Sequence, residues 1–182
     1  MAKVLRENTT LKELFLLGNE LRFFGTATIA KALASTKTLT SLDLSYNNVG
    51  FFGAKALSRA LKKNASLVYL SLHDNPLGSQ GAGEIAKALR KNSSLKYLGM
   101  GADPESIFYF GIGSRGARYI ANALMVNDTL TTLSLGWNSI GSRGALAISK
   151  ALKHNNTLST LRMVVESRHP CGSVIQYLCF AG

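Results

Sequence analysis

The chain has 182 residues, 46% of them hydrophobic and three of them proline, a composition that excludes a disordered segment and suits one globular domain. No apolar run reaches the about 18 residues that a membrane-spanning helix requires. Lys and Arg number 21 against 10 Asp and Glu, and the resulting formal charge of +11 points to anionic partners unless the bases form a solvated face.

The opening stretch, "MAKVLRENTT", lacks the apolar core of a secretory leader, so none is expected. "VLRENTTL" aligns with "ALKKNASL" farther along, which places Val4 and Leu5 at the last apolar positions of a helix. Residues 1–10 are therefore expected to be the tail of a preceding repeat. No polar capping segment comes before them, so the array is expected to be a fragment of a longer one.

From Leu11 onward one unit recurs. Leu11, Leu39, Leu67, Leu95, Leu130 and Leu158 open successive copies, 28 residues apart except for a step of 35 after Leu95. Three residues on stand Leu14, Leu42, Leu70, Leu98, Leu133 and Leu161, and two further on Leu16, Leu44, Leu72, Met100, Leu135 and Met163. Apolar residues two apart have the period of a strand with one buried face. Asn19, Asn47, Asn75 and Asn138 follow, where a side-chain amide can satisfy backbone groups of a tight turn. The period then changes. Ile85, Ala88 and Leu89, at i, i+3 and i+4, mark the apolar stripe of a helix that recurs in the other copies. Ser79, Ser114 and Ser142 stand where helix N-caps are expected. Gly25, Gly53, Gly81, Gly116 and Gly144 share a position where close packing on the neighbouring copy is expected. One strand–turn–helix unit cannot bury both its leucine row and its helix stripe, whereas stacked copies can.

"LTSLDLSYNNVG" and its copies resemble the leucine-rich repeat. The 28-residue length and alanine-rich helix resemble the ribonuclease-inhibitor-like subclass, which includes NOD-like receptor sensor regions and Ran GTPase-activating proteins. The resemblance covers about residues 2 to 165. It implies an α/β solenoid, a right-handed horseshoe with a parallel sheet on the concave face and helices on the convex face. Residues 1–182 then form a single domain, with repeats starting at 11, 39, 67, 95 and 130 and a degenerate terminal repeat at 158–182. Family members bind unrelated partners, so the implied function is a protein-interaction scaffold, part of a larger intracellular receptor or regulator.

Two places break the pattern. In the fourth copy seven extra residues fall within "GADPESIFYFGIG", leaving Asp103 or Phe110 at the asparagine position. Ile107, Phe108, Tyr109 and Phe110 either fold back onto the array or meet a partner. The last copy, "TLSTLRMVVESRHPCGSVIQYLCFAG", keeps Gly172 but carries Glu166 for asparagine and Arg168 for leucine.

Both cysteines, Cys171 and Cys179, lie near the end, which argues against a disulfide framework and for a reducing, cytoplasmic compartment. With His169 the nearest histidine, a fourth ligand is missing and no metal is expected. Five glycosylation triplets, at Asn8, Asn64, Asn92, Asn127 and Asn155, share one position after the helix. They read as helix-ending asparagines in the left-handed conformation, with glycans not expected.

There is no glycine-rich phosphate loop, and His73, His154 and His169 lie in separate copies without a nucleophile. No enzyme activity, cofactor or small-molecule substrate is expected. The alternative is a Ran-type GTPase activator, for which Arg22 is the nearest arginine in an early turn; the acidic tail of that family is missing.

Outward strand and turn positions hold Glu13, Phe15, Glu20, Asp43, Tyr46, Tyr69, His73, Asp74, Tyr97 and Trp137, with Arg162 the base among them. Phe15, Asp43, Tyr46, Tyr69, His73, Asp74, Tyr97 and Trp137, with Phe108 and Tyr109 of the insertion, form the expected partner-binding set. The acidic balance of this face suits a basic or neutral protein. Lys31, Arg59, Lys87 and Lys150 form one helix ladder, Lys62, Arg90 and Lys153 a second, and Lys63 and Lys91 a third. A second alternative is polyanion binding through these convex ladders. Sequence-specific nucleic-acid recognition is not expected, because no aromatics are interleaved with the bases. The uncovered row Leu11, Leu14 and Leu16 is expected to promote self-association.

Overall fold

A computed structural model describes residues 2–102, 111–169 and 172–181. Each of the first five copies of the unit forms a three-residue strand followed by a twelve-residue helix, and is here termed a coil. The strands are β1 (Glu13–Phe15), β2 (Ser41–Asp43), β3 (Tyr69–Ser71), β4 (Tyr97–Gly99) and β5 (Thr132–Ser134). The helices that follow them are α2 (Arg22–Leu33), α3 (Gly50–Leu61), α4 (Gly78–Leu89), α5 (Gly113–Leu124) and α6 (Gly141–Leu152). A short helix, α1 (Ala2–Glu7), precedes β1 and packs on α2, with Leu5 partly buried and Val4 exposed.

The strands form one open sheet in sequence order. Glu13, Ser41, Tyr69, Tyr97, Thr132 and Thr160 pair successively in parallel register. The extra residues of the fourth coil leave this register intact, because Tyr97 still pairs with Thr132. Leu42, Leu70, Leu98 and Leu133 point inward at 0% exposure, and the helix stripes close over them. Burying each such side chain contributes about 1.5–3 kcal/mol, and each helix packs only on its sequence neighbours. The first coil is covered on one side less fully, so Leu11, Leu14 and Leu16 are only partly buried.

Two ladders of asparagine tie coil to coil. In the turn after each strand, Asn47 Oδ1 accepts the amides of Asn19 and Leu21, and its Nδ2 donates to Leu16 O at 2.6 Å. Asn75 serves Asn47, Val49 and Leu44 in the same way, and Asn138 serves Ile112 and Met100. The turns of the first, second and fourth coils are thus completed by the coil after each. The second ladder lies at the helix ends, where Asn64, Asn92, Asn127 and Asn155 are buried. Their Nδ2 groups donate to Leu33, Leu61, Leu89 and Leu124, the terminal carbonyls of the preceding helices, at 2.7–2.9 Å.

That second ladder corrects the expectation of left-handed asparagines: none of the four has positive φ. They stand there because a buried amide can cap the previous helix and also accept the amides of its own linker, as Asn92 does from Ser94 and Leu95. The nitrogen that a glycan would occupy is already committed in all four.

The serine N-caps also fail. Ser79, Ser114 and Ser142 lie inside their helices, and α4, α5 and α6 have no side-chain cap. The chain enters each helix through a left-handed residue instead: Gly50, Gly78, Gly113 and Gly141 have φ near +60°. In the first coil Arg22 takes that place at φ +51°. Gly53, Gly81, Gly116 and Gly144 pack on the previous coil as expected, a Cβ at Gly116 standing 3.2 Å from Ala82, whereas a Cβ at Gly25 would meet only Leu21 of its own coil.

After Leu158 the unit changes form. Strand β6 (Thr160–His169) starts in parallel register with β5, runs for ten residues, and pairs antiparallel with β7 (Gly172–Ala181). In sequence β7 falls where the earlier coils carry a helix, and in space it is the last strand of the sheet.

Candidate partner-binding surface

Parallel register places the outward side chains of successive strands in rows. Phe15 stands beside Asp43, which stands beside Ser71; Tyr69 stands beside Tyr97. The two tyrosine rings stack with centroids 4.2 Å apart and planes 10° from parallel. Asp43 Oδ1 accepts the amide and hydroxyl of Ser45. That hydroxyl has one hydrogen, so Ser71, 2.7 Å away, donates into Ser45.

His73 extends the tyrosine stack toward the next coil. Its Nδ1 lies 3.1 Å from Gly101 O, and a carbonyl only accepts, so the neutral ring carries its proton there. Nε2 is then the acceptor nitrogen, and it lies 3.3 Å from the Tyr97 hydroxyl. Room for the ring comes from glycine: a Cβ at Gly99 would collide with Nε2, and one at Gly101 would stand 3.0 Å from the ring. Burial, then Tyr69 and its hydrogen bond, push the Tyr97 hydroxyl up to about 12; Arg162 opposes this and Asp43 adds to it. Tyr97 is therefore a neutral hydroxyl group at ordinary pH.

A second row lies at the C-terminal ends of the strands. Tyr46, Asp74 and Trp137 occupy one turn position and all adopt left-handed φ, +56°, +52° and +56°. Gly18 fills that position in the first coil at φ +70°. Such a conformation costs a residue with a side chain about 1–2 kcal/mol. Backbone bonds to the next coil hold it: Tyr46 N donates to His73 O and Asp74 N to Gly101 O, both at 3.0 Å. Tyr46 is 47% exposed despite its size.

The structure therefore gathers Asp43, Tyr69, His73 and Tyr97 into one patch, with Phe15 at its edge, exposed, and Tyr46 and Asp74 along its rim. Trp137 shares the rim but sits beyond the fourth coil. Phe108, Tyr109 and the two candidates for the asparagine position, Asp103 and Phe110, lie outside the described residues. Among the described residues no group of three or more side chains is placed to hold a metal ion. No described helix is long and apolar enough to cross a membrane. Arg22 is exposed in the first turn, 3.4 Å from Glu20.

Family comparison agrees with the geometry: the leucine-rich repeat family matches residues 36–58, 63–86 and 126–149. The described coils form an open α/β solenoid, and the three matched stretches are leucine-rich repeats. Among solved structures, the tropomodulin C-terminal domain of Caenorhabditis elegans has a TM-score of 0.67 and 18% identity, over 85% of this chain and 90% of that one. Leiomodin-1 actin-binding site 2 has a TM-score of 0.68 and 19% identity, over 85% and 86%. At such identities the likeness is one of fold. No curated protein matches the sequence.

On the helical side of the leucine-rich repeats every base of the three ladders is exposed. Across α4 this face sinks into a groove of about 500 Å³ whose walls include Phe51, Lys87, Arg90, Arg115 and Tyr119. The expectation that no aromatic accompanies the ladders is overturned. Phe23, Phe24 and Phe52 are 39%, 81% and 62% exposed. With Phe51 they form a cluster whose neighbouring rings lie 5.0–5.7 Å apart. The signal was in the alignment of copies: Phe-Phe at 23–24 and 51–52 stands where later coils have Ser-Gln or Ser-Arg.

Proposed function

We propose that the chain is a non-enzymatic scaffold that binds a protein through the concave sheet and rim of its second to fourth coils. The carrying observation is the locked stack of Tyr69, Tyr97 and His73 beside the strained, exposed Tyr46. Rigid aromatics lose little entropy on binding, and strained backbone held by its surroundings is typical of recognition sites. Glu13, Glu20, Asp43 and Asp74 against Arg162 favour a basic or neutral partner with apolar knobs. Trp137 extends the surface past the fourth coil, and Phe108 and Tyr109 join the proposed set on their sequence alone. The 28-residue register of four of the five coils and the full helix of each support a ribonuclease-inhibitor-like repeat, as in NOD-like receptor sensor regions. The committed asparagine amides support a cytoplasmic setting, and the partly buried first coil supports self-association.

Monomeric actin is the first partner to try, because one of the two similar structures is described as an actin-binding site. Affinity capture with actin and with cell lysate should be compared between the wild type and the triple variant Y46A/Y97A/W137A. Each anchor contributes about 2 kcal/mol, so the triple variant should lose at least about a hundredfold in affinity for the captured partner. Unchanged capture by the triple variant, with loss on reversing Lys87 and Lys91, moves the working face to the helices.

A second reading rests on Arg22, the exposed arginine held in left-handed conformation where four other coils have glycine. As a Ran-type activator the chain would accelerate GTP hydrolysis by Ran, and a hydrolysis assay with and without the chain separates the two readings.

A further inference from the structure

We propose that the outer face of α2 and α3 is a second binding site, a peripheral dock for anionic lipid membranes, independent of the concave surface. Phe24 and Lys31 are seven residues apart on α2, and Phe52 and Arg59 are seven apart on α3. Seven residues are nearly two turns, so each pair lies on one side of its helix, about 10 Å apart along the axis. The 28-residue register sets the two stripes side by side. Each presents a protruding ring at one end and a base at the other.

Charge selects the partner. Helices α2 and α3 contain Arg22, Lys31, Lys55 and Arg59 and no Asp or Glu. Across α2 to α6 the one carboxylate is Glu84, and Lys87 Nζ neutralises it at 2.7 Å. Lys55 stands 5.9 Å from the Phe51 ring, so cation and aromatic are already adjacent. An anionic surface is matched and a cationic one repelled.

Shape selects between a membrane and an acidic protein segment. A peptide needs a concavity to cover its apolar side, and the groove across α4 takes in Phe51 but neither Phe24 nor Phe52, which stand exposed outside it. Projecting rings can enter a deformable apolar layer while long basic side chains remain among the head groups. Stable peripheral attachment takes two such signals, apolar insertion and a basic patch. The first two coils supply both with paired aromatic rings, whereas α6 sets the single aliphatic Leu146 beside its bases. The third to fifth carry Gln80, Arg115 and Arg143 where Phe24 and Phe52 stand.

Flotation with vesicles of phosphatidylcholine, with or without phosphatidylserine, tests the assignment. The protein should float with the phosphatidylserine vesicles and stay behind with phosphatidylcholine alone. The double variant F24Q/F52Q copies Gln80 of α4 and so keeps a side chain the repeat already accepts; it should lower partitioning about tenfold or more. R59E should lower it roughly twentyfold, about fivefold for each unit of charge, whereas R143E, with the same change in net charge on α6, should lose much less. Thermal melting of each variant separates loss of binding from loss of fold, and F24A/F52A is the alternative pair should F24Q/F52Q melt early. The proposal is overturned by wild-type partitioning of a folded phenylalanine variant, by equal losses in R59E and R143E, or by no flotation at all. It is equally overturned by soluble polyglutamate displacing the protein from vesicles and binding F24Q/F52Q undiminished, the result expected of a dock for acidic protein.

Discussion

The first coil and the central coils are spelled almost alike, yet their cores are covered to different degrees. Leu42 and Leu70, with a full coil on each side, are at 0% exposure, whereas Leu14 at the same repeat position is only partly buried. Asn92 lies buried between two coils, while Asn8, its counterpart, is half-buried and serves only its own linker. A residue's energy in a solenoid is therefore a property of adjacent pairs of coils.

The sharpest way to break this comparison is a pair of leucine truncations. Leu70→Ala should destabilise by about 3–4 kcal/mol, because a cavity remains between two coils that cannot collapse. Leu14→Ala should cost about 1 kcal/mol. Urea unfolding measures both, and equal losses would mean that the first coil is as well covered as the third. Asparagine gives the next largest contrast. Asn92→Ala strands Leu61 O and the Leu95 amide in the interior and should cost about 2–3 kcal/mol; Asn8→Ala, beside water, should cost under about 1.

Arg22 and Gly50 reverse the sign of the effect between coils. Arg22→Gly relieves a left-handed residue and should raise stability by about 1 kcal/mol, read as a higher melting temperature. Gly50→Ala should lower it by a similar amount, with no clash involved, since nothing lies within 4 Å of the added Cβ. The smallest effect belongs to Tyr97 in the central sheet. Its hydroxyl is held up to about 12 against 10.0 for an ordinary tyrosine, so the folded state retains a proton that the unfolded state releases. Its contribution is fully present below pH 10 and is lost as pH rises toward 12. A phenolate absorbance titration should show a late step that disappears in Tyr97→Phe.

How far the sequence reveals this molecule depends on how far each residue's partners are local in the repeat. The leucine rows, the turn asparagines and the pairing of Tyr69 with Tyr97 follow from fixed spacing, because like positions in adjacent coils must touch. Ser79 misled because a serine near a helix start suggests a cap, while the actual entry is fixed by the left-handed Gly78 before it. Asn64 and its counterparts misled because an asparagine after a helix has two common roles, and the spelling of one copy does not show that the next coil brings a carbonyl within reach. The phenylalanine pairs escaped notice since large apolar residues on a helix are usually core; only their place outside the buried stripe marks them as exposed. His73 was visible as an outward residue, but its fixed tautomer depends on Gly101 O, a backbone atom 28 residues later.

The asparagine ladders also set an order of events during synthesis. The turn amides of one coil wait for a side chain 26–28 residues later, and the last carbonyl of its helix waits for one 31 residues later. At about 5–20 residues per second a ribosome needs roughly one to six seconds to supply that length. Each emerging coil therefore spends that interval with open backbone groups, and is closed only when its successor arrives. A pause in translation just after a helix would prolong this unfinished state, whereas one placed a full coil later would find the earlier coil already sealed.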